Sequence, residues 1–496
     1  MTNILANSAA LHQAYWDSDI WYRRAWYFWP QASSLLALLL IFNPTTNPGA
    51  APEAPWVKPV APGNSPGAGT KSTNASEADR AACSGKDPDA AIAVCARLIE
   101  TLGRSDSWLA EAYFMRGRAY NQKGLRDLAV ADLTETIALA PPAAGGVNLR
   151  GAIYLDQKRY DPAIADFQAA LAAKPGWALP HANLGLAYLR KNDVDRAILE
   201  ANEALRLEPT LTWARIVRMR INSQRKQFAE VIADATAVIA SAPTNGEAFF
   251  FRGEARVELS DFRAAAADLQ EATRLGYKSV FLELNRAYVN EKLGNLDQAL
   301  LDYTAALKLD PRSVYALQKR AEIYFNKGIY ADASANTTTI LEIDPKNYDA
   351  LVLRAKAAEA AGSHEAALSD IDVALSLQPR DAVAHYLRGA IYFNAEMARV
   401  GRCQKHGRPS AAVTGRPDRA GVSDCRQGPD IAGAIKEFDE ALQLKADLAA
   451  AYVDRGMAYI LLGNRQQASV DWRTAYKLDP SNKDLLARMQ RARITP

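Results

Sequence analysis

Near the C-terminal end of the chain, Cys403 and His406 form a Cys-x-x-His pair, and Cys425 follows them. Thiolate and imidazole at that spacing are zinc chemistry, but a structural zinc closes a tetrahedron of four ligands and the sequence offers no evident fourth. The same two cysteines, Cys403 and Cys425, could instead close a disulfide across the base of their segment. The remaining histidines, His12, His181, His364 and His385, stand beside no nucleophile, paired carboxylate or second ligand, and no glycine-rich phosphate loop occurs. Neither an enzyme activity, a metal nor a cofactor is expected.

The segment holding those residues is "GRCQKHGRPSAAVTGRPDRAGVSDCRQGPD", Gly401 to Asp430, without a Phe, Tyr or Trp. Between Gly401 and Pro429 it carries Arg402, Lys405, Arg408, Arg416, Arg419 and Arg426 against Asp418 and Asp424, or 6 − 2 = +4. The whole chain is only +3, so the rest is 3 − 4 = −1 and no basic field calls for nucleic acid. Such a composition cannot build a core. Two readings follow: a tolerated solvated excursion, or a cationic finger for anionic glycan, lipid or an acidic partner.

The frame around it repeats. Gly117, Gly151 and Gly185 are spaced 34 apart, Gly253, Gly389 and Gly456 continue the series, and Met219, Ala287, Ala321 and Ala355 fill the same phase. Twelve residues on comes a small residue, as at Ala129, Ala163 and Ala265, and twenty-four on a proline, as at Pro141, Pro175 and Pro311. Between these marks, stretches such as "AIADFQAALAAKP" have helical periodicity. The pattern is a helical hairpin: the small residues permit close helix approach, and the proline ends the second helix. One hairpin cannot bury its apolar face alone, so neighbours must stack.

These residues resemble the tetratricopeptide repeat family over residues 110–480. The resemblance implies an all-α, right-handed superhelical solenoid of about ten 34-residue helix-turn-helix repeats, with residues 481–496 as a capping helix and the insertion 400–430 inside repeat nine. Residues 76–109 are expected to form an N-terminal cap, in which "DPDAAIAVCARLIE" reads as a lone second helix. Repeat four departs most, with Met219, Asn222 and Val231 at places that usually conform. In place of the leucine common in the family, the residue before the mark is arginine in nine repeats, from Arg116 to Arg455, with Leu184 the exception. Sixteen residues beyond nearly every one stands an acid, such as Asp132, Asp166 or Asp268, with Glu437 matching once the insertion is allowed for and Asn336 the exception. An opposite charge recurring at one offset reads as an internal ladder rather than an anion-binding stripe, since arginine's planar fork suits a carboxylate.

Residues 1–75 differ from the repeats. Arg23 and Arg24 precede Ala25 to Phe42, 18 mostly apolar residues, close to the minimum for a membrane-spanning helix. Trp21, Trp26, Tyr27 and Trp29 suit an interfacial belt, and the flanking arginines place residues 1–24 in the cytoplasm. The other reading is a cleaved signal peptide with Leu35 to Phe42 as its core; no small-x-small site follows, and the leading segment is long for a signal. Residues 43–75, rich in Pro, Ala and Gly, form a linker. All four cysteines lie beyond the anchor, which suits an oxidising space. Cys83 and Cys95 flank "SGKDPDAAIAV", where a bridge would pin the array's N-terminal end; such a pair resembles that of membrane-anchored bacterial envelope repeat proteins. The alternative is two free thiols packed as small hydrophobes. In a bacterium this gives a single-pass inner-membrane protein with a periplasmic array. In a eukaryote the array would be lumenal or extracellular, and "NAS" at Asn74 and "NTT" at Asn336 would be glycosylation acceptors.

In the family the first helix of each hairpin lines a concave groove. By periodicity Trp213, Phe250, Phe281, Tyr315, Phe325, Tyr386 and Phe393 face inward, a spacing suited to an extended or helical peptide with apolar anchors. The expected function is a membrane-tethered scaffold that binds another protein or peptide through that groove. The rival is a glycan-binding or polysaccharide-export accessory component.

Overall fold

The computed structural model describes residues 76–405 and 431–496. The N-terminal segment 1–24, the expected anchor 25–42, the linker 43–75, Asn74 and the insertion from residue 406 to 430 lie outside the described residues, as do the side chains of Arg402, Cys403 and Lys405. So does any bridge between Cys403 and Cys425. Among the described residues, no helix is long and apolar enough to cross a membrane.

Among the described residues every element is a helix. In chain order they are α1 (Glu77–Cys83), α2 (Pro88–Thr101), α3 (Leu109–Gln122), α4 (Arg126–Leu139), α5 (Ala144–Asp156), α6 (Tyr160–Ala173), α7 (Ala178–Arg190), α8 (Val194–Leu207), α9 (Thr212–Gln224), α10 (Phe228–Ser241), α11 (Gly246–Glu258), α12 (Phe262–Arg274), α13 (Val280–Lys292), α14 (Leu296–Leu309), α15 (Val314–Asn326), α16 (Tyr330–Ile343), α17 (Tyr348–Ala360), α18 (His364–Leu377), α19 (Ala382–Lys405), α20 (Ala432–Leu444), α21 (Ala449–Leu461), α22 (Arg465–Leu478) and α23 (Lys483–Arg491). From α3 to α22 they pair as ten hairpins.

The helices fall into two compact units. One contains residues 76–278 and 288–294, the other residues 279–287, 295–405 and 431–496. Within each unit, successive first helices pack against one another more than successive second helices do, so the first helices form the inner layer.

The small residues are there for contact. A Cβ added to Gly151 would stand 2.8 Å from Phe167 Cε1, and one on Gly253 2.9 Å from Leu269. Seven residues past the mark the chain enters the left-handed region to turn into the second helix, at Gly124 (φ 73°), Lys158 (φ 60°), Asn192 (φ 62°) and Gly294 (φ 80°) among others. Repeat four packs like its neighbours despite its unusual residues, with Met219, Asn222 and Val231 all buried.

Three sequence expectations are corrected. α2 is not a lone second helix: the seven-residue α1 pairs with it, and a disulfide joins Cys83 to Cys95 with a Cα–Cα distance of 5.0 Å. The passage expected as loop from Gly401 is helical as far as Lys405, because α19 runs 24 residues where the other first helices from α3 on have 13 or 14. At the phase where the other turns go left-handed, α19 has Glu396; strong helix formers follow, and the lone Gly401 costs a helix only about 1 kcal/mol. Finally, Asn336 is buried within α16 and cannot be an acceptor for a glycan.

Candidate functional site

Two faces of the hairpins carry distinct sets of side chains. On one runs the arginine ladder. In six hairpins the guanidinium grips the acid sixteen residues on with two parallel bonds, Nε to one oxygen at 2.7–2.9 Å and Nη2 to the other at 2.6–2.8 Å; the pairs are Arg116–Asp132, Arg150–Asp166, Arg218–Asp234, Arg252–Asp268, Arg354–Asp370 and Arg455–Asp471. Arg286 reaches Asp302 at 2.9 Å. Each acid is at most 8% exposed, so the carboxylates are internal. The third nitrogen does what periodicity did not suggest: Nη1 reaches back to the preceding second helix, sixteen residues earlier. It donates to Thr134 from Arg150, Asn202 from Arg218, Thr236 from Arg252, Thr304 from Arg320 and Thr338 from Arg354, at 3.1–3.2 Å. One arginine thus ties three helices and fixes the register of neighbouring hairpins.

The exceptions obey the same rule, that a buried carboxylate keeps a partner. Where Leu184 replaces arginine, His181 Nδ1 lies 2.6 Å from Glu200, which occupies the acid position. Where Asn336 replaces the acid, its Oδ1 accepts from Arg320 at 2.8 Å and its amide donates to the Asp332 carbonyl at 2.7 Å. In hairpin nine the longer Glu437 is shared by Arg388 and His385. These contacts occupy His181 and His385, and His364 Nδ1 lies 2.7 Å from Glu359. His12 and His406 lie outside the described residues.

The inner face is different. Trp213 and Phe250 lie in the first unit. Trp213 is buried, donates from Nε1 to Asn183 Oδ1 at 2.9 Å and has the Arg220 guanidinium 5.4 Å above its ring. Asn183 in turn donates to Asn148, so a polar thread runs beneath the inner layer from α5 to α9. Phe250 is also buried, stacked on Tyr277 with centroids 5.0 Å apart. In the second unit, Tyr386 is buried and donates to Asp454 Oδ2 at 2.9 Å; burial and that neighbouring carboxylate push its hydroxyl far above the ordinary tyrosine range. Phe393 packs with Tyr386 around Phe438. Phe281, Tyr315, Phe325 and Phe393 are half-buried, with Tyr315 edge-on to Tyr303 and Phe325 tilted against Tyr330. Three of the seven rings are therefore anchored inside the array and four are partly open.

Sequence periodicity did not pick out the charged groups on this face. In the first unit Arg220 is held in bidentate fashion by Glu247 at 2.6 and 2.9 Å. Burial and the neighbouring Arg220 bring Arg190 down to about 10. Burial raises Glu254 to about 7, opposed by a hydrogen bond from Ser223 and reinforced by Glu258. In the second unit burial lowers Lys356 to about 8, against the attraction of Glu322, Asp349 and Asp381. Arg220, Glu254, Glu322 and Lys356 all stand one residue past the mark, so their common phase was available in the sequence.

A stack of 34-residue helical hairpins with a constant packing face and a charged, aromatic inner layer defines a solenoid scaffold. One tetratricopeptide repeat family profile matches residues 109–178, 252–313 and 284–335, and a second matches residues 180–211 and 449–482. The chain belongs to the tetratricopeptide repeat family, whose arrays are scaffolds for protein–protein interaction. No curated protein matches its sequence. Among solved structures it is similar to a tetratricopeptide repeat protein from Parabacteroides merdae, at 18% identity over 64% of this chain and 99% of that one, with a TM-score of 0.34. It is also similar to YrrB, described as a tetratricopeptide protein with an unusual peptide-binding site, at 20% identity over 44% and 95%, TM-score 0.29. A third is PilW, a type IV pilus biogenesis factor, at 20% identity over 41% and 94%, TM-score 0.38. None of these likenesses bears on what the inner face of this chain binds.

Proposed function

We propose that this chain is a membrane-tethered scaffold that recruits another protein of the cell envelope through its inner groove. The observation that carries the reading is a contrast between the two faces. The ladder and hairpin contacts repeat nearly unchanged, whereas six residues before the mark stand Glu111, Gly145, Leu179, Trp213, Glu247 and Phe281 in successive hairpins. Positions that only hold a stack together need not differ from unit to unit; positions that meet an irregular ligand must. In this reading residues 25–42 anchor the chain, residues 1–24 are cytoplasmic and the array is periplasmic, which suits the Cys83–Cys95 disulfide. The cationic residues from Arg402 to Arg426 add a second contact, for anionic glycan, lipid or an acidic partner.

The test uses the full chain in its membrane. It should stay in the pellet after a high-salt wash and yield its array to protease added outside the inner membrane. A photo-crosslinker at Phe281, half-buried on the inner face, should then capture a partner that one at exposed Leu199 on α8 does not. Equal capture from both positions would defeat the groove reading; release by salt would defeat the anchor.

A further inference from the structure

We infer that the groove between α9 and α11 takes a basic side chain of the partner, a lysine ammonium or an arginine guanidinium, against Glu254 and Glu258. This deepens the groove reading and rests on it. Glu254 and Glu258 lie one turn apart on the inner face of α11. Across from them Ser223, on α9, donates to Glu254 Oε2 at 3.1 Å. Among the described residues no cation pairs with either carboxylate, while the cations around them are engaged with other groups. Arg220 is bound by Glu247 and lies over Trp213; Arg256 turns away to Asp268 at 2.6 Å; Lys292 lies over the Tyr288 ring.

Taking a carboxylate partly out of water costs free energy unless a counter-charge replaces the lost hydration. Elsewhere in this array the cost is met: buried acids on the ladder have an arginine or histidine. Glu254 has only a neutral hydroxyl and a like-charged neighbour, and its pKa is accordingly raised to about 7 by burial. A partner bearing an acid here would meet two carboxylates, so the site also discriminates against the opposite charge. The remaining charged groups on this stretch, Arg190 on α7, Arg220 on α9 and Glu247 at the start of α11, neutralise one another in part.

The probe is a phage-displayed library of random dodecapeptides panned against the full chain in detergent. Selected peptides should be enriched several-fold in Lys or Arg at one position, and a Lys→norleucine version of the best peptide should bind roughly tenfold more weakly. Glu254→Gln should abolish the preference. Glu258→Lys, an exposed change that leaves the core alone, should repel the basic peptide and weaken it by at least as much. Wild-type affinity should rise from pH 6 to pH 8, as Glu254 ionises, and Glu254→Gln should flatten that slope. Binders without a basic preference, or a preference that survives both substitutions, overturn the inference while leaving the groove reading intact. A library that yields no binder, or binders insensitive to every inner-face change, overturns both.

Discussion

Replacing Arg150 by leucine would strip Asp166 of both charge-assisted bonds, Nε at 2.9 Å and Nη2 at 2.8 Å, and leave an acid only 7% exposed without a counter-charge. Breaking a buried pair from one side costs about 3–5 kcal/mol; with the Arg150 side chain 20% exposed, the lower end, about 3 kcal/mol, is expected. The lost bond to Thr134 adds about 1 kcal/mol and loosens α5 from α4. Asp166→Asn alone should be mild, about 1 kcal/mol, because hairpin seven already shows the arrangement: Asn336 gives its oxygen to Arg320 and turns its amide to a backbone carbonyl. The decisive prediction is a change of sign. In the Arg150→Leu background, Asp166→Asn should restore about 2 kcal/mol, since it removes the stranded charge. The assay is urea denaturation, which leaves ion pairs unscreened, with hydrogen exchange of α5 and α6 as the local readout, since a repeat array need not unfold in one step. Losses that simply add in the double variant would refute the ladder as a coupled pair.

Gly151→Ala should cost about 1–3 kcal/mol, because its Cβ would lie 2.8 Å from Phe167 and 3.0 Å from Asp166; thermal unfolding of the variant checks it. Glu254 has a folded pKa near 7, above its ordinary 4.5, so the folded state holds its proton longer than the unfolded chain does. Its contribution to stability is therefore fully present below pH 4.5 and lost as pH rises to about 7, and Glu254→Gln should show a smaller fall in melting temperature between pH 5 and pH 8. Reducing the Cys83–Cys95 bridge, which spans 12 residues of sequence, should cost the N-terminal cap about 2–4 kcal/mol. Exchange should quicken in α1 and α2 around Leu98 and Leu102 while the hairpins from α5 onward keep their protection.

What could be read from the sequence was whatever recurs. The hairpin, its small residues, its proline and the offset of sixteen between Arg116 and Asp132 repeat often enough that residue type alone exposes them. The backward arm, made by arginines such as Arg218, Arg252 and Arg388, stayed hidden because its acceptor changes between threonine, asparagine and aspartate, each an ordinary surface residue of a second helix. Periodicity also gives a face and not a depth. Trp213 and Tyr315 share a phase, yet the first is buried on Asn183 beneath Arg220 and the second is half open, since neighbours on adjacent hairpins decide how far each ring sinks. The length of α19 was missed for a third reason: a single glycine and a polar composition argue for a loop, but nothing before Lys405 compels the helix to stop.

The two faces are connected by cause. A hairpin stack whose register depended on its inner side chains could not change them without shifting the neighbouring hairpins. Here register is fixed on the ladder face, where Arg150, Arg218 and Arg252 each bind an acid in their own hairpin and a polar side chain in the one before. With the spacing set there, the residue one past the mark can be arginine at 220, glutamate at 254 and tyrosine at 288 without disturbing the stack. Buried polar contacts are weak sources of net stability but strong sources of a unique arrangement. That division of labour leaves the inner face free to carry at Glu254 a carboxylate that has a hydroxyl partner but no counter-charge, which a basic partner would neutralise.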